Sequence, residues 1–292
     1  MKICPACAKG HTKTTWDCPH CGYAPLNIGG FPALAPSLAA QSEGFQSEFF
    51  EDLAKLEADN FWFRARNQLI IHALSRYFPN MTRYLEIGCG TGYVLSGVTH
   101  AFPELDMTGS EIFSAGLEFA SRRAPQAKLL QMDARRLPYE DHFDVIGAYD
   151  VLEHIAEDSQ VLSQMHRALH PGGGILLTVP QHPWLWSCQD DHACHVRRYT
   201  EAELQRKVIE AGFNVVYKTS FVSLLLPVMM LSRLRKKMSA DQNDPLSELR
   251  IGSAANRILG VAMTLEKRLI ISGIRFPIGG SLLLVAQREG SP

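Results

Sequence analysis

The 292-residue chain carries almost no net charge, because 29 lysines and arginines are balanced by 30 aspartates and glutamates. This balance excludes recognition of nucleic acid or an anionic surface by overall charge, so any such contact has to be local. The chain also lacks an apolar run that could span a bilayer, and its longest run, 221–231, is interrupted by Pro227. Since "MKICPACAKG" contains no apolar signal-peptide core, we expect a cytoplasmic protein.

Cysteines are few, but four of the seven have a regular spacing. Cys4 and Cys7 form one C-x2-C pair, Cys18 and Cys21 form a second, and ten residues separate the pairs. Four thiolates at this spacing can surround one Zn²⁺ ion, and a site with four protein ligands is structural because no coordination position stays open. The alternative is a dithiol redox pair. We predict a zinc-ribbon-like knuckle over residues 1–25, with zinc as a structural metal.

The rest of the chain predicts a linker and one large domain. Residues 26–46 are rich in Gly, Pro, Ala and Ser without a clear period, which is typical of a linker. In the domain, 47–292, short apolar runs beyond Pro79 alternate with segments that can be helical. This alternation predicts an α/β fold with a doubly wound, mostly parallel, seven-stranded sheet. A helical insertion of about 224–271 precedes the last strand.

A glycine-rich turn follows the first strand of this domain. The stretch "LEIGCGTG" contains Gly88, Gly90 and Gly92 after Glu86, in the pattern E-x-G-x-G-x-G. A dinucleotide fingerprint requires its third glycine at the position that Tyr93 occupies here. The loop is therefore suited to a nucleoside joined to an amino-acid chain rather than to a pyrophosphate, and the following helix N-terminus favours a carboxylate.

Acidic residues follow the next strands. Glu111 ends the second strand, where a carboxylate can accept hydrogen bonds from both ribose hydroxyls. Asp133, in "MDA", follows the third strand, where it can meet an adenine amino group. "YDVLEHI" follows the fourth strand. All these positions share the carboxyl edge of the sheet, where such sheets bind their ligands.

Over about 61–288, these motifs resemble those of the class I S-adenosylmethionine-dependent methyltransferases, in the branch that acts on small molecules. The resemblance implies a Rossmann-like fold and S-adenosylmethionine as the methyl donor. The cofactor-binding residues that it implies are Glu86, Gly88, Gly90, Gly92, Glu111, Asp133, Ala134 and Asp150. A hydroxyl acceptor would also require a base.

Titratable residues are dense in the loop after the fifth strand. We predict His154 and His182 as the catalytic bases, helped by His195 and Asp191. A structural role for each histidine stays open. The spacing of His182, Asp191 and His195 has no established metal signature. "FWFRAR" at 61–66 and "HVRRYT" further along also resemble motifs of one methyltransferase subgroup.

Basic residues offer two further hypotheses. The pairs Arg64 with Arg66 and Arg197 with Arg198 could clamp a phosphate or carboxylate on the substrate, or pair with acids of the fold itself. The segment 221–237 is apolar and ends in basic residues, which suits peripheral contact with the inner face of a membrane. A buried helix with a solvated end is the alternative for this segment.

Three functions are compatible with these features. The leading prediction is methyl transfer to a small or lipid- or sugar-linked metabolite, with a hydroxyl as the acceptor. An RNA methyltransferase whose knuckle binds rRNA or tRNA is the second, although a chain without basic charge disfavours nucleic acid. A non-catalytic scaffold that binds the cofactor is the third. The sequence leaves the oligomeric state open.

Overall fold

The computed structural model describes residues 1–39, 48–238 and 250–290. These residues form one large sheet with helices, and a two-stranded sheet at the N-terminus. The strands are β1 Lys2–Ile3, β2 Gly10–His11, β3 Leu26–Ile28, β4 Phe31–Ala33, β5 Arg83–Ile87, β6 Asp106–Glu111, β7 Lys128–Gln131, β8 Phe143–Tyr149, β9 Leu169–Pro180, β10 Phe213–Phe221 and β11 Ser281–Arg288. The helices are α1 Glu48–Leu56, α2 Phe61–Tyr77, α3 Tyr93–Ala101, α4 Ser114–Arg123, α5 Asp158–Ala168, α6 Cys188–His192, α7 Glu201–Glu210, α8 Leu226–Met238 and α9 Ser253–Ile271.

Two hydrophobic cores cover the two faces of the large sheet. Successive side chains of a strand point to opposite faces, and β5 follows this rule. Leu85 and Ile87 pack in the core that contains α5 and α7, whereas Tyr84 packs in the core that contains α2, α3, α4 and α9. Both faces of β5 are therefore buried, as expected for a parallel strand covered by helices.

The strand order of the large sheet is β10-β11-β9-β8-β5-β6-β7-β4-β3. Strands β5 to β9 pair in parallel, while β11 is antiparallel to both of its neighbours. The order reverses at β5, because β6 and β7 lie on one side of it and β8 and β9 on the other. The predicted doubly wound, mostly parallel sheet is confirmed. The turns after β5 and β8 lie side by side at its switch point, where such sheets bind ligands.

The sequence prediction of a linker is wrong for its first part. Strands β3 and β4 form a hairpin, and Ala33 of β4 pairs in parallel with Gln131 of β7, so the predicted seven strands become nine. The buried Gln131 side chain then accepts a hydrogen bond from Ala35 N at 3.1 Å and donates one to Ala35 O at 2.9 Å. An edge strand leaves backbone groups unpaired, and a short extended segment satisfies them whatever its side-chain period. The later part of the predicted linker, 40–46, lies outside the described residues.

The cysteine knuckle packs directly against the large domain. Ile3 N donates to Pro138 O at 2.8 Å, and the Trp16 ring meets the Tyr139 ring edge-on at a centroid distance of 5.4 Å. Trp16 is buried in the same core as the central strands. The knuckle is thus part of the packed body.

The segment 224–271 contains α8 and α9. Asn256 ties α9 to the start of α2, because its side chain accepts from Phe61 N at 2.9 Å and donates to Asp59 O at 2.8 Å. Among the described residues, no helix combines the length and the hydropathy that crossing a membrane requires. The structure describes the backbone of α8 as far as Met238, but it does not describe the basic side chains at 235–237, to which the sequence assigns membrane contact.

Candidate functional site

The four knuckle cysteines converge on one point. Cys4 Sγ lies 3.7 Å from Cys21 Sγ, and Cys7 Sγ lies 3.7 Å from Cys18 Sγ. All four sulfurs lie within 4.8 Å of one another. Zn–S bonds of about 2.3 Å at tetrahedral angles place sulfurs about 3.8 Å apart, so the cluster fits a Zn²⁺ ion held by four thiolates.

The glycine loop after β5 is fixed by contacts on both sides. Gly88, Gly90 and Gly92 all have left-handed backbones, with φ of +65°, +51° and +77°. A Cβ at Gly88 would lie 2.5 Å from Val151 Cγ2, and one at Gly92 would lie 2.6 Å from Ala120 Cα. A Cβ at Gly90 would meet nothing closer than Phe50 at 3.9 Å. At Gly88 and Gly92 a glycine is therefore required because neighbouring residues pack against the backbone. At Gly90 the space beside the backbone is open.

The Glu111 carboxylate holds this loop against the end of β6. One oxygen accepts from Gly90 N at 2.9 Å, and the other accepts from Ile112 N at 2.8 Å and Phe113 N at 3.2 Å. Burial raises the pKa of Glu111, while the three amides oppose that rise. The carboxylate is thereby fixed beside the open backbone of Gly90, where ribose hydroxyls could reach it.

Asp133 and Ala134 follow β7 at the same edge of the sheet. The Asp133 side chain caps a short 3-10 helix by accepting from Arg135 N at 2.9 Å, and it also pairs with the Arg135 guanidinium at 3.0 Å. Ala134 is buried. Gln131, which sequence reasoning missed, donates to Ile112 O at 2.9 Å and so joins the end of β7 to the turn after β6.

A charged group lies beneath the loop, between α2 and the end of β8. Arg66 forms an ion pair with Asp150, which has a left-handed φ of +56° and also accepts from Thr178 Oγ1 at 3.2 Å. Glu86 lies behind this pair, and its burial raises the pKa of the carboxyl to about 8 although Arg66 opposes the rise. The sequence left two roles open for Arg66, a substrate clamp or a partner for an acid of the fold. The ion pair with Asp150 supports the second role.

The same is true of the second arginine pair. Arg198 pairs with Asp190 at 2.7 Å, and both side chains are buried. Arg197 pairs with Asp158. The Arg197 pair joins the loop after β9 to α5, and the Arg198 pair joins two parts of that loop to each other.

Two of the four predicted catalytic residues meet. The rings of His154, after β8, and His195, after α6, have centroids 4.7 Å apart. His195 Nδ1 lies 2.8 Å from Asp190 Oδ1, and its Nε2 lies 4.0 Å from Glu153 Oε1. Burial alone would raise the pKa of Asp190, but hydrogen bonds from His195 and Arg198 lower it to about 2. The sequence prediction included neither acid among the catalytic residues. Asp190 belongs to the loop whose titratable residues are dense, and Glu153 was indicated only by its place beside His154 in "LEHI".

The other two predicted catalytic residues have separate partners. His182 has a left-handed φ of +64° and stacks on Trp184 at a centroid distance of 5.2 Å. Asp191 accepts from Trp186 Nε1 at 2.9 Å. Burial lowers the pKa of His182, which favours the neutral imidazole. Their catalytic roles stay predictions.

A family model described as a methyltransferase domain matches residues 61–218, more than half of the chain. The chain belongs to this methyltransferase family. The match begins at α2 and ends within β10, so it includes every strand of the parallel part of the sheet from β5 to β9. The glycine loop, Glu111 and the turn after β8 all lie inside the matched methyltransferase domain.

Curated relatives of this methyltransferase chain include bacterial enzymes. A protein of Mycolicibacterium smegmatis named "probable S-adenosylmethionine-dependent methyltransferase" is 28% identical over 163 residues, which cover 55% of this chain and 62% of the relative. The ubiquinone biosynthesis O-methyltransferase of Psychrobacter arcticus is 26% identical, covering 45% and 59%. The phthiotriol/phenolphthiotriol dimycocerosates methyltransferase 1 of Mycobacterium ulcerans is 33% identical, covering 33% and 36%. The chain thus spans less than two thirds of the length of each of these relatives.

Solved structures share the fold. The [4+2]-cyclase SpnF aligns with a TM-score of 0.53 and 20% identity, covering 79% of this chain and 84% of that one. Phosphoethanolamine N-methyltransferase 2 of Haemonchus contortus, in complex with S-adenosyl-L-methionine, aligns with a TM-score of 0.52 and 20% identity, covering 76% and 52%. At this identity, the likeness shows the architecture and nothing about the acceptor.

Proposed function

We propose that the chain transfers a methyl group from S-adenosylmethionine to a hydroxyl of a small or lipid- or sugar-linked metabolite. The observation that carries the proposal is the arrangement at the switch point of the sheet. There the open backbone at Gly90 lies beside the fixed carboxylate of Glu111. Membership of the methyltransferase family supports the same function.

Different residues at the carboxyl edge of the sheet bind different parts of S-adenosylmethionine. Glu111 has its carboxylate oriented by three amides and accepts from the ribose hydroxyls. Asp133 and Ala134 flank the adenine, and the N-terminus of α3 favours the carboxylate of the amino-acid part. Asp150 holds Arg66 and so positions α2 over this site. When bound, S-adenosylmethionine supplies a methyl group on a positively charged sulfur.

The acceptor hydroxyl has to lose its proton as the new bond forms. The ring of His154, in the turn after β8, contacts the ring of His195, after α6, and Asp190 fixes His195 by its Nδ1. We assign these two histidines to activation of the acceptor. His182 and Asp191 contact Trp184 and Trp186, and they keep their predicted roles as a base and a helper.

Two surface features support a lipid-linked acceptor. A groove of about 580 Å³ lies between α2 and α9, where apolar side chains such as Phe61 and Met263 alternate with polar and charged ones such as Arg64. Val228 of α8 and Val261 of α9 are 54% and 66% exposed. Apolar side chains beside basic residues suit the surface of a bilayer, and two relatives act, by their names, on dimycocerosates and in ubiquinone biosynthesis. Flotation with anionic liposomes should carry the protein upward, and protein left at the bottom would contradict membrane contact.

Methyl-labelled S-adenosylmethionine tests the function. We would incubate it with the purified chain and a cell lysate, and then count label in RNA, organic-soluble and water-soluble fractions. Label in the organic or water-soluble fraction is the expected result, and label in RNA would overturn the proposed substrate class. The matched control is Glu111→Gln, which keeps the size of the side chain but loses the charge that the amides orient, and should reduce transfer at least tenfold. Absence of label in every fraction would reject the function.

A further inference from the structure

A buried acid without a partner lies beside the two histidines. The Glu153 side chain is 0% exposed, and neither carboxylate oxygen has a hydrogen-bond partner among the described residues. The neighbouring guanidinium groups of Arg66 and Arg198 are committed to Asp150 and Asp190. Burying a carboxylate without compensation is costly, and buried charges are normally paired or coordinate a metal.

The side chains around Glu153 form a set of metal ligands. One donor atom from each of Glu153, His154 and His195 can be chosen so that all lie within 4.8 Å of one another. His195 directs Nδ1 to Asp190 at 2.8 Å, which leaves Nε2 facing Glu153 Oε1 at 4.0 Å. A carboxylate that orients a histidine in this way is the usual support of a metal-bound imidazole.

We propose that Glu153, His154 and His195 bind one divalent transition-metal ion. Bonds of about 2.1 Å place neighbouring ligand atoms about 3 to 3.5 Å apart, so rotations that move each donor by less than about 1 Å complete the site. Two imidazoles and one carboxylate suit Zn²⁺, Fe²⁺, Co²⁺ or Ni²⁺. Three protein ligands leave further coordination positions of such an ion open.

The role of this ion rests on the proposed function, whereas its binding does not. When bound, the ion would act as a Lewis acid that lowers the pKa of the acceptor hydroxyl, and the hydroxyl proton would leave to water. An oxygen lone pair then forms the bond to the methyl carbon, and the departing sulfur keeps the electron pair of the broken bond. His154 and His195 thus activate the acceptor through the ion.

Cobalt titration of the full-length, zinc-loaded chain tests the site without substrate. Calorimetry should show one Co²⁺ bound per chain, and the spectrum should lack the thiolate charge-transfer band that entry into the cysteine cluster would give. Glu153→Gln and His154→Asn should each weaken binding at least tenfold. His154→Asn should disturb folding less than Glu153→Gln, because His154 is an exposed residue whereas Glu153 is fully buried. The control, His100→Gln, removes an exposed imidazole on α3 and should bind as the wild type does.

The outcomes separate this site from the proposed function. Absence of Co²⁺ binding in a folded protein that still transfers methyl groups would overturn the metal site alone. Equal affinity in wild type and His154→Asn would also overturn it. Binding of Co²⁺ that depends on both Glu153 and His154, in a protein without methyl transfer, would support the site and reject the function.

Discussion

Substituting Gly92 by alanine tests whether packing fixes the glycine loop. Gly92 has φ of +77°, and its new Cβ would lie 2.6 Å from Ala120 Cα, which is backbone and cannot rotate away. A left-handed alanine costs about 1 kcal/mol of stability, and overpacking adds about 1 to 3 kcal/mol. We therefore expect Gly92→Ala to lower the free energy of unfolding by about 2 to 4 kcal/mol.

Gly172→Ala is the matched control for this substitution. Gly172 has a similar φ of +83°, but a Cβ there would have nothing within 4 Å. It should cost only the backbone term of about 1 kcal/mol. Urea unfolding at 25 °C would measure both variants, and calorimetry would measure the affinity for S-adenosylmethionine. Because Gly92 is the N-cap of α3, we expect at least tenfold weaker binding for Gly92→Ala alone. Equal losses of stability in the two variants would refute the packing explanation.

Two further predictions concern the buried Glu86 of β5 and the cysteine knuckle. Burial raises the pKa of Glu86 from its ordinary value of 4.5 to about 8 in the folded chain. Between these two pH values the carboxyl is protonated in the folded chain but ionised in the unfolded chain. Its contribution to stability therefore falls as pH rises. Relative to wild type, Glu86→Gln should therefore gain up to about 1.4 kcal/mol of stability per pH unit across this window, as measured by urea unfolding at several pH values. The purified chain should contain one zinc ion by elemental analysis, and the double substitution of Cys4 and Cys7 by serine should remove the ion and cost about 3 to 5 kcal/mol if Trp16 leaves the core.

Controls for these two predictions are available in the same chain. A stability difference between Glu86→Gln and wild type that stays constant from pH 5 to pH 8 would show that Glu86 is not the titrating group. Cys188→Ser, outside the knuckle, should retain the zinc. Full stability after loss of zinc would contradict the docking of Trp16 on Tyr139.

Local sequence patterns were sufficient for the parallel strands and for the approach of Gly90 to Glu111. Apolar runs alternating with helical segments require a parallel sheet covered on both faces, because no other arrangement buries both sides of such strands. The carboxyl ends of parallel strands share one edge, so Gly90 and Glu111 had to lie close together once the strands were recognised. The two C-x2-C pairs likewise predicted four converging sulfurs, because short turns leave the chain few other ways to place them.

The hairpin at β3 and β4 could not be predicted, because its pairing with β7 depends on backbone groups that an edge strand leaves open rather than on side-chain period. The same limit applies to the arginines. Nothing in the sequence near Arg66 indicates Asp150 as its partner, which lies on a different strand end.

The sequence by itself determined the doubly wound fold, the cysteine cluster and the glycine loop, because each depends on spacing within a short stretch of chain. Only the tertiary structure decided which predicted catalytic groups meet. His154 and His195 follow different elements, and they become neighbours because Asp190 and Arg198 hold the intervening loop. The burial of Glu153 is likewise a property of the whole packed domain, since it requires surrounding elements to exclude water from a residue that sequence alone would place on a surface.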